Sequence, residues 1–195
     1  MMFDYQKEFT YVKGFAMGAM MPETIRMLNY ARAKHSTQTR KTGEPYISHP
    51  LTMACHAISM GIRDDIIIAG CLAHDICEDC GVAIEDLPGS DDLRKVVGLL
   101  TKNSTMTTRE YYDGIATDIR AIFVKLIDRC HNVSSMAGVF SEAKLKEYIE
   151  ETRDYVIPLI RKAKDEYPEY SGILFILKYH IQSITDAIEL TLSTK

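Results

Sequence analysis

The run Ile66-Ile67-Ile68-Ala69-Gly70-Cys71-Leu72-Ala73 is nearly all apolar, and it leads straight into His74-Asp75-Ile76-Cys77-Glu78-Asp79. A helix that is apolar all round has no face to give to solvent and must be buried. On a continuous helix His74 and Glu78 are four residues apart, as are Asp75 and Asp79. The two pairs are separated by about 100° and form one polar wedge. A buried helix that ends in four ionisable groups is costly unless those groups find partners. A divalent metal is the least costly partner for three carboxylates and an imidazole. The plainer reading is a solvated helix end with acids set near its C-terminus.

The charge distribution agrees with a site that holds an anion beside a cation. Residues 24–43 contain Arg26, Arg32, Lys34, Arg40 and Lys41 with no acid, whereas residues 64–92 contain nine acids and no Lys or Arg. Two complementary solvated faces would give the same counts. The net charge of −4 argues against a general nucleic-acid binder. With 46% hydrophobic and 26% charged residues over 195 positions, the composition is that of a globular domain. The apolar runs are far short of the roughly 20 residues a membrane span needs. An odd count of five cysteines, with Asp4 and Glu8 interrupting any signal-like start, predicts a reduced, cytoplasmic setting and no membrane association.

No segment reads as a strand. The spacing predicts helices from Tyr5, Phe9, Val12 and Ala16; from Pro22 through Ile25 and Leu28; from Pro50 to Gly61; and from Arg63 to about Asp79, closed by Gly81. Residues 36–48 read as a loop. Short helices follow at about 91–102 and 108–116, and an apolar one at about 119–133. Two long helices, about 141–166 and 169–193, finish the chain, the first kinked by Pro158. The expectation is a single all-α domain over residues 1–195.

Two further segments carry chemistry. In Val124-Lys125-Leu126-Ile127-Asp128-Arg129-Cys130-His131-Asn132, Asp128 is expected at the end of a buried helix with Asn132 one turn on. Lys125 or Arg129 would satisfy Asp128 as well as a metal would. In Gly43-Glu44-Pro45-Tyr46-Ile47-Ser48-His49-Pro50, the proline fixes His49 at a helix start. His49, His74, Asp75 and Asp128 then make a two-imidazole, two-carboxylate set, whose mixed N/O character suits Mn, Fe, Co or Zn better than Mg or Ca. Cys77 and Cys80 form C-x-x-C, but no second Cys/His pair completes a zinc site. No phosphate-cradling P-loop is present.

A His-Asp pair followed far downstream by Asp resembles the HD phosphohydrolase superfamily. The strings GEPYISHP, LAHDICEDC and FVKLIDRCHN, in that order, resemble the hydrolase domain of RelA/SpoT proteins and stand-alone small alarmone hydrolases over about residues 28–133. The resemblance implies a helical HD domain with a metal site at helix ends. It implies removal of the 3′-diphosphate of (p)ppGpp, giving GDP or GTP and pyrophosphate. By position it makes His49, His74, Asp75 and Asp128 the ligands of Mn²⁺, and sets Glu78 and Asp79 beside the attacking water. Arg40 and Lys41 match the basic loop that meets the nucleotide, with Tyr46 in the same segment. Lys125, Asn132 and Tyr148 match positions lining the nucleotide pocket. His35 also falls where relatives have a histidine, with no role assigned. Ile127, Cys130 and Ser134 depart from the family pattern and are expected to bear on substrate selectivity. No RelA-type synthetase domain is expected within these 195 residues. The rival expectations are an HD nucleotidase or pyrophosphohydrolase on another nucleotide, and a non-catalytic alarmone-binding or antitoxin-like protein. The expected partner is a small guanosine nucleotide; a homo-oligomer is compatible with the sequence.

Overall fold

The computed structural model describes residues 4–194, and among them helices are the only extended regular elements. The helices gather into two compact units, one ending at Met106 and the other beginning at Thr107.

The first unit contains α1 (Tyr5–Gly18), α2 (Pro22–Lys34), α3 (Ser48–Ser59), α4 (Asp65–Ala73), α5 (Ile76–Cys80) and α6 (Asp91–Leu100). Its centre is α4, which packs against α2, α3 and α6. Residues 67–73 of α4 are all buried, as an apolar helix without a polar face requires. Two consecutive aspartates start this helix and do different work. Asp64 caps α4 itself, accepting the N–H groups of Ile66 and Ile67 at 2.8 and 3.1 Å. Asp65 reaches across to α2, whose own N-cap residue Met21 offers no side-chain bond. The Asp65 carboxylate accepts the N–H groups of Glu23 and Thr24 at 2.9 and 2.8 Å, and the Thr24 hydroxyl at 2.7 Å. One helix thus caps its neighbour, satisfying amides that would otherwise be orphaned.

The expected helix from Arg63 to Asp79 is two helices with a break at His74 and Asp75. The His74 ring supplies the reason: its Nδ1 lies 3.0 Å from the Cys71 carbonyl, the acceptor that a continuing helix would offer to the N–H of Asp75. The α-helical pattern resumes at once, with the Asp79 N–H on the Asp75 carbonyl at 2.8 Å. Gly81 ends α5 in the left-handed conformation, φ +64°.

The expected loop at 36–48 is a tight ribbon followed by the first residue of α3. Thr39 and Pro45 form an antiparallel bridge, and the Arg40 N–H bonds the Glu44 carbonyl at 2.8 Å. Gly43, at φ +86°, turns the chain at its tip. Arg40 and Lys41 sit on this tip.

The second unit contains α7 (Thr108–Ile115), α8 (Ile119–Met136), α9 (Glu142–Glu151), α10 (Ile157–Glu166) and α11 (Ser171–Ser193). Helix α8 is its axis, packing against α7, α10 and α11. The long helix expected at 141–166 is α9 and α10 joined by a π turn, Thr152–Val156, whose wide loop is closed by the Ile157 N–H on the Thr152 carbonyl. Pro158 follows directly. It has no N–H, and its ring crowds the carbonyl four residues back; the wide turn takes up that irregularity.

Candidate metal centre

His49 is the second residue of α3, one place before Pro50, whose missing N–H costs nothing in a first helical turn. His74 and Asp75 occupy the break between α4 and α5. Their polar atoms converge. His49 Nε2 lies 3.2 Å from His74 Nε2, His74 Nε2 lies 2.9 Å from Asp75 Oδ2, and His49 Nε2 lies 3.6 Å from the same oxygen. Both rings are buried. With Nδ1 of His74 donating to the Cys71 carbonyl, the neutral ring carries a lone pair on Nε2. That lone pair faces a carboxylate oxygen and a second imidazole nitrogen. Convergent acceptors in a buried place fit a cation, and nitrogen with carboxylate oxygen is the donor set of a transition metal.

Tyr46 bears on the same carboxylate. Its hydroxyl donates to Asp75 Oδ2 at 2.5 Å, and its ring stacks on His35, centroids 4.6 Å apart. Burial, followed by the facing Asp75 and Asp79 carboxylates, pushes the phenol far above its usual range, so it stays a donor. His35 is itself held by Gln38, whose Oε1 lies 2.5 Å from His35 Nδ1 while its amide donates to the Asp79 carbonyl at 3.0 Å. The sequence singled out Tyr46 and His35 but missed Gln38, which has no signal beyond its position in a polar loop.

Glu78 and Asp79 lie on α5 and are exposed. Glu78 Oε1 accepts the N–H of Lys102 at 2.5 Å, so one of its oxygens ties α5 to the segment after α6.

In the second unit, Lys125, Asp128, Arg129 and Asn132 share one face of α8 at i, i+3, i+4 and i+7. Asp128 is not at a helix end, as the sequence reading had it. Helix α8 continues to Met136, because Val133 and Met136 are buried against α9 residues Leu145 and Ile149. Like His49 and His74, Asp128 is buried. Its two oxygens are held separately, Oδ1 by the Asn132 amide at 2.6 Å and Oδ2 by the Lys125 ammonium at 3.2 Å. Desolvation opposes the charge on Lys125, but Asp128 with Tyr111 and Tyr112 more than offsets it, leaving the lysine pKa well above its usual value. Arg129, the other candidate partner for Asp128, hydrogen-bonds elsewhere, to Tyr112, Tyr148, Glu151 and Thr152. The Tyr148 hydroxyl is reached by the Asn132 side chain.

The three departures from the family pattern turn away from this face. Ile127 is fully buried. Cys130 Sγ contacts the Leu177 carbonyl of α11 at 3.8 Å, and Ser134 Oγ lies 3.0 Å from His180 Nε2 of the same helix. Cys130 and Ser134 meet α11, while Lys125, Asp128 and Asn132 lie on another face of α8.

A helical fold with a His-Asp pair at the end of a buried helix defines an HD-domain protein, and residues 28–112 match the HD domain family. Within that class the chain is similar to proteins of the RelA/SpoT type. It is 35% identical over 150 residues to the guanosine-3′,5′-bis(diphosphate) 3′-pyrophosphohydrolase of Aquifex aeolicus, a match covering 72% of this chain and 21% of that one. It is 34% identical over 143 residues to the GTP pyrophosphokinase rsh of Brucella ovis, covering 67% and 19%. The chain thus spans about a fifth of the length of the curated relatives it matches. In fold it resembles the solved structure of a metazoan ortholog of SpoT that hydrolyzes ppGpp, with a TM-score of 0.68 at 20% identity, covering 85% of this chain and 94% of that one.

Proposed function

We propose that this chain is a manganese-dependent hydrolase that removes the 3′-diphosphate of (p)ppGpp, giving GDP or GTP and pyrophosphate. The observation that carries the reading is the meeting of His49 Nε2, His74 Nε2 and Asp75 Oδ2 within 2.9–3.6 Å, with the His74 lone pair fixed by the Cys71 carbonyl. The activity printed for the relative from Aquifex aeolicus supports the substrate class. In this reading both units form one HD domain, and Asp128 completes the donor set of His49, His74 and Asp75. When bound, the ion supplies positive charge that acidifies a water molecule. Glu78 and Asp79 orient that water and accept its proton. Oxygen bonds to the phosphorus on the 3′ side, the bond to the 3′ oxygen breaks, and that oxygen leaves with a proton. Arg40 and Lys41, on the tip of the ribbon, neutralise the diphosphate of an anionic substrate that meets a chain of net charge −4. Lys125, Asn132, Tyr148 and Tyr46 hold the nucleotide and the ligand carboxylates. None of the five cysteines is joined in a disulfide, which supports a reducing, cytoplasmic setting.

The test is an assay of the purified chain with ppGpp, with and without Mn²⁺. GDP and pyrophosphate in equal amounts, only with metal, are expected. Orthophosphate, or turnover of another nucleotide alone, would give the chain to a different HD hydrolase; binding without turnover would make it a sensor. Asp128→Ala is expected to lose bound metal and turnover together with the fold retained, and full metal content in that variant would remove Asp128 from the ligand set.

A further inference from the structure

Arg129 heads the fully buried side chains by volume and has no part in the reaction above. Its guanidinium is enclosed on every side it can bond. Nη2 donates to the Glu151 carboxylate and, at 2.8 Å, to the Tyr112 hydroxyl. Nη1 donates to the Thr152 hydroxyl at 3.2 Å and the Tyr148 carbonyl at 3.4 Å. The face of the group lies 3.9 Å from the centroid of the Tyr148 ring. Only Nε is buried without a partner. A core that needed volume alone would be served at least as well by an apolar side chain, because taking a charge out of water is expensive even when it is paired.

The contacts converge on one place. Glu151 and Thr152 sit where α9 passes into the π turn, and the Thr152 hydroxyl also bonds the Tyr148 carbonyl at 2.7 Å. Arg129 therefore grips the backbone, the ring and the following turn of a single residue, Tyr148. The hydroxyl of that ring meets Asn132, and Asn132 donates to Asp128 Oδ1 at 2.6 Å. A continuous series of contacts runs from Glu151 through Arg129, Tyr148 and Asn132 to Asp128, all within the second unit.

We propose that Arg129, clamped by Glu151 and Thr152, is a positioning residue that fixes the Tyr148 ring and, through it, the Asn132 amide, so that the two present a preformed wall to the nucleotide. This rests on the proposed function in one respect, that Tyr148 and Asn132 face the substrate. Arg129 itself touches no substrate. Its fork and flat face are both used, so lysine, a point charge on a flexible stem, cannot replace it.

The experiment uses the full chain carrying Arg129→Lys, Arg129→Met, Tyr148→Ala and the Arg129→Met/Tyr148→Ala pair, with bound Mn²⁺, KM and kcat measured for ppGpp. Arg129→Lys and Arg129→Met are expected to raise KM roughly tenfold, the scale of one cation–π contact and its ordering, with kcat within about threefold and metal content unchanged. Tyr148→Ala is expected to raise KM at least as much, and Arg129→Met to add nothing on that background. Unchanged KM in folded Arg129 variants, or additive effects in the double variant, would overturn the proposal and leave Arg129 as core. If Arg129→Met does not fold, Arg129→Lys and Glu151→Gln decide by the same KM readout. A second measurement does not depend on turnover. In chain labelled with ¹³C-tyrosine, the Tyr148 ring signals, assigned with Tyr148→Phe, should be those of a slowly flipping ring, and should average in Arg129→Lys. Averaged signals in the wild type would refute the clamp whatever the substrate. A slow ring in a chain that does not cleave ppGpp would uphold the clamp and fail only the proposed function.

Discussion

At the scale of single residues, Glu78 combines a structural bond with the proton-accepting role proposed for it. One carboxylate oxygen accepts the Lys102 amide, and the glutamine of Glu78→Gln retains an oxygen for that bond. The substitution therefore removes a proton acceptor while leaving the tie between α5 and the segment after α6. General acid–base assistance contributes about 10²–10⁴-fold, so kcat should fall by that amount with melting temperature and bound metal unchanged. Single-turnover rates and metal content on the same preparation check it; retained kcat would make the carboxylate purely structural. The residues around the candidate centre were legible in the sequence to unequal degrees. His74 and Asp75 stood out because ionisable groups ended an apolar run. The Cys71 carbonyl that orients His74 is a backbone group, which no sequence pattern displays. Glu151, the partner of Arg129, lies 22 positions away in chain, and neither residue's neighbours point to the other.

At the scale of the helices, boundaries set by capping chemistry were readable and interruptions inside helices were not. Pro22 and Pro50, in the first turns of α2 and α3, announced those starts. The break at His74 leaves hydrophobic periodicity intact on both sides, so the pattern reads straight through it. The π turn was legible only as an irregularity at Pro158, because its form depends on which carbonyl the Ile157 amide reaches. The cap that α4 supplies to α2 predicts its own test. Asp65→Ala leaves the amides of Glu23 and Thr24 without their acceptor and the Thr24 hydroxyl with the Asp65 backbone carbonyl at 3.3 Å in place of the carboxylate. A lost cap costs about 0.5–2 kcal/mol, and the buried location of Thr24 puts this one near the upper end. For a chain of this size that is a fall in melting temperature of roughly 4–8 °C. Calorimetry on the variant reads it directly, and a shift below about 1 °C would show that water replaces the cap.

For the whole molecule, the proposed ion predicts a thermodynamic signature separate from catalysis. A ligand that binds only the folded state at a hundred times its Kd stabilises it by about 2.7 kcal/mol. Mn²⁺ should therefore raise the melting temperature of the chelator-treated protein by roughly 5–10 °C, and Mg²⁺, a poor match for imidazole donors, by much less. Equal shifts with both ions would argue against histidine ligation. The π turn at Thr152–Val156 has a consequence for how this chain tolerates change in length. Such a turn holds one residue more than the α-helical turn it replaces, so a deletion there closes a regular helix instead of leaving a gap. With one of residues 153–156 removed, the bond from the Ile157 N–H to the Thr152 carbonyl becomes an ordinary four-residue helical bond, and α10 keeps the register it has now. Ile157, Leu159, Ile160 and Ala163 stay buried, and Arg129 keeps the Thr152 hydroxyl. A lineage could therefore gain or lose this one residue without recasting the packing along α10, which makes the π turn the place where this pair of helices tolerates a change in length.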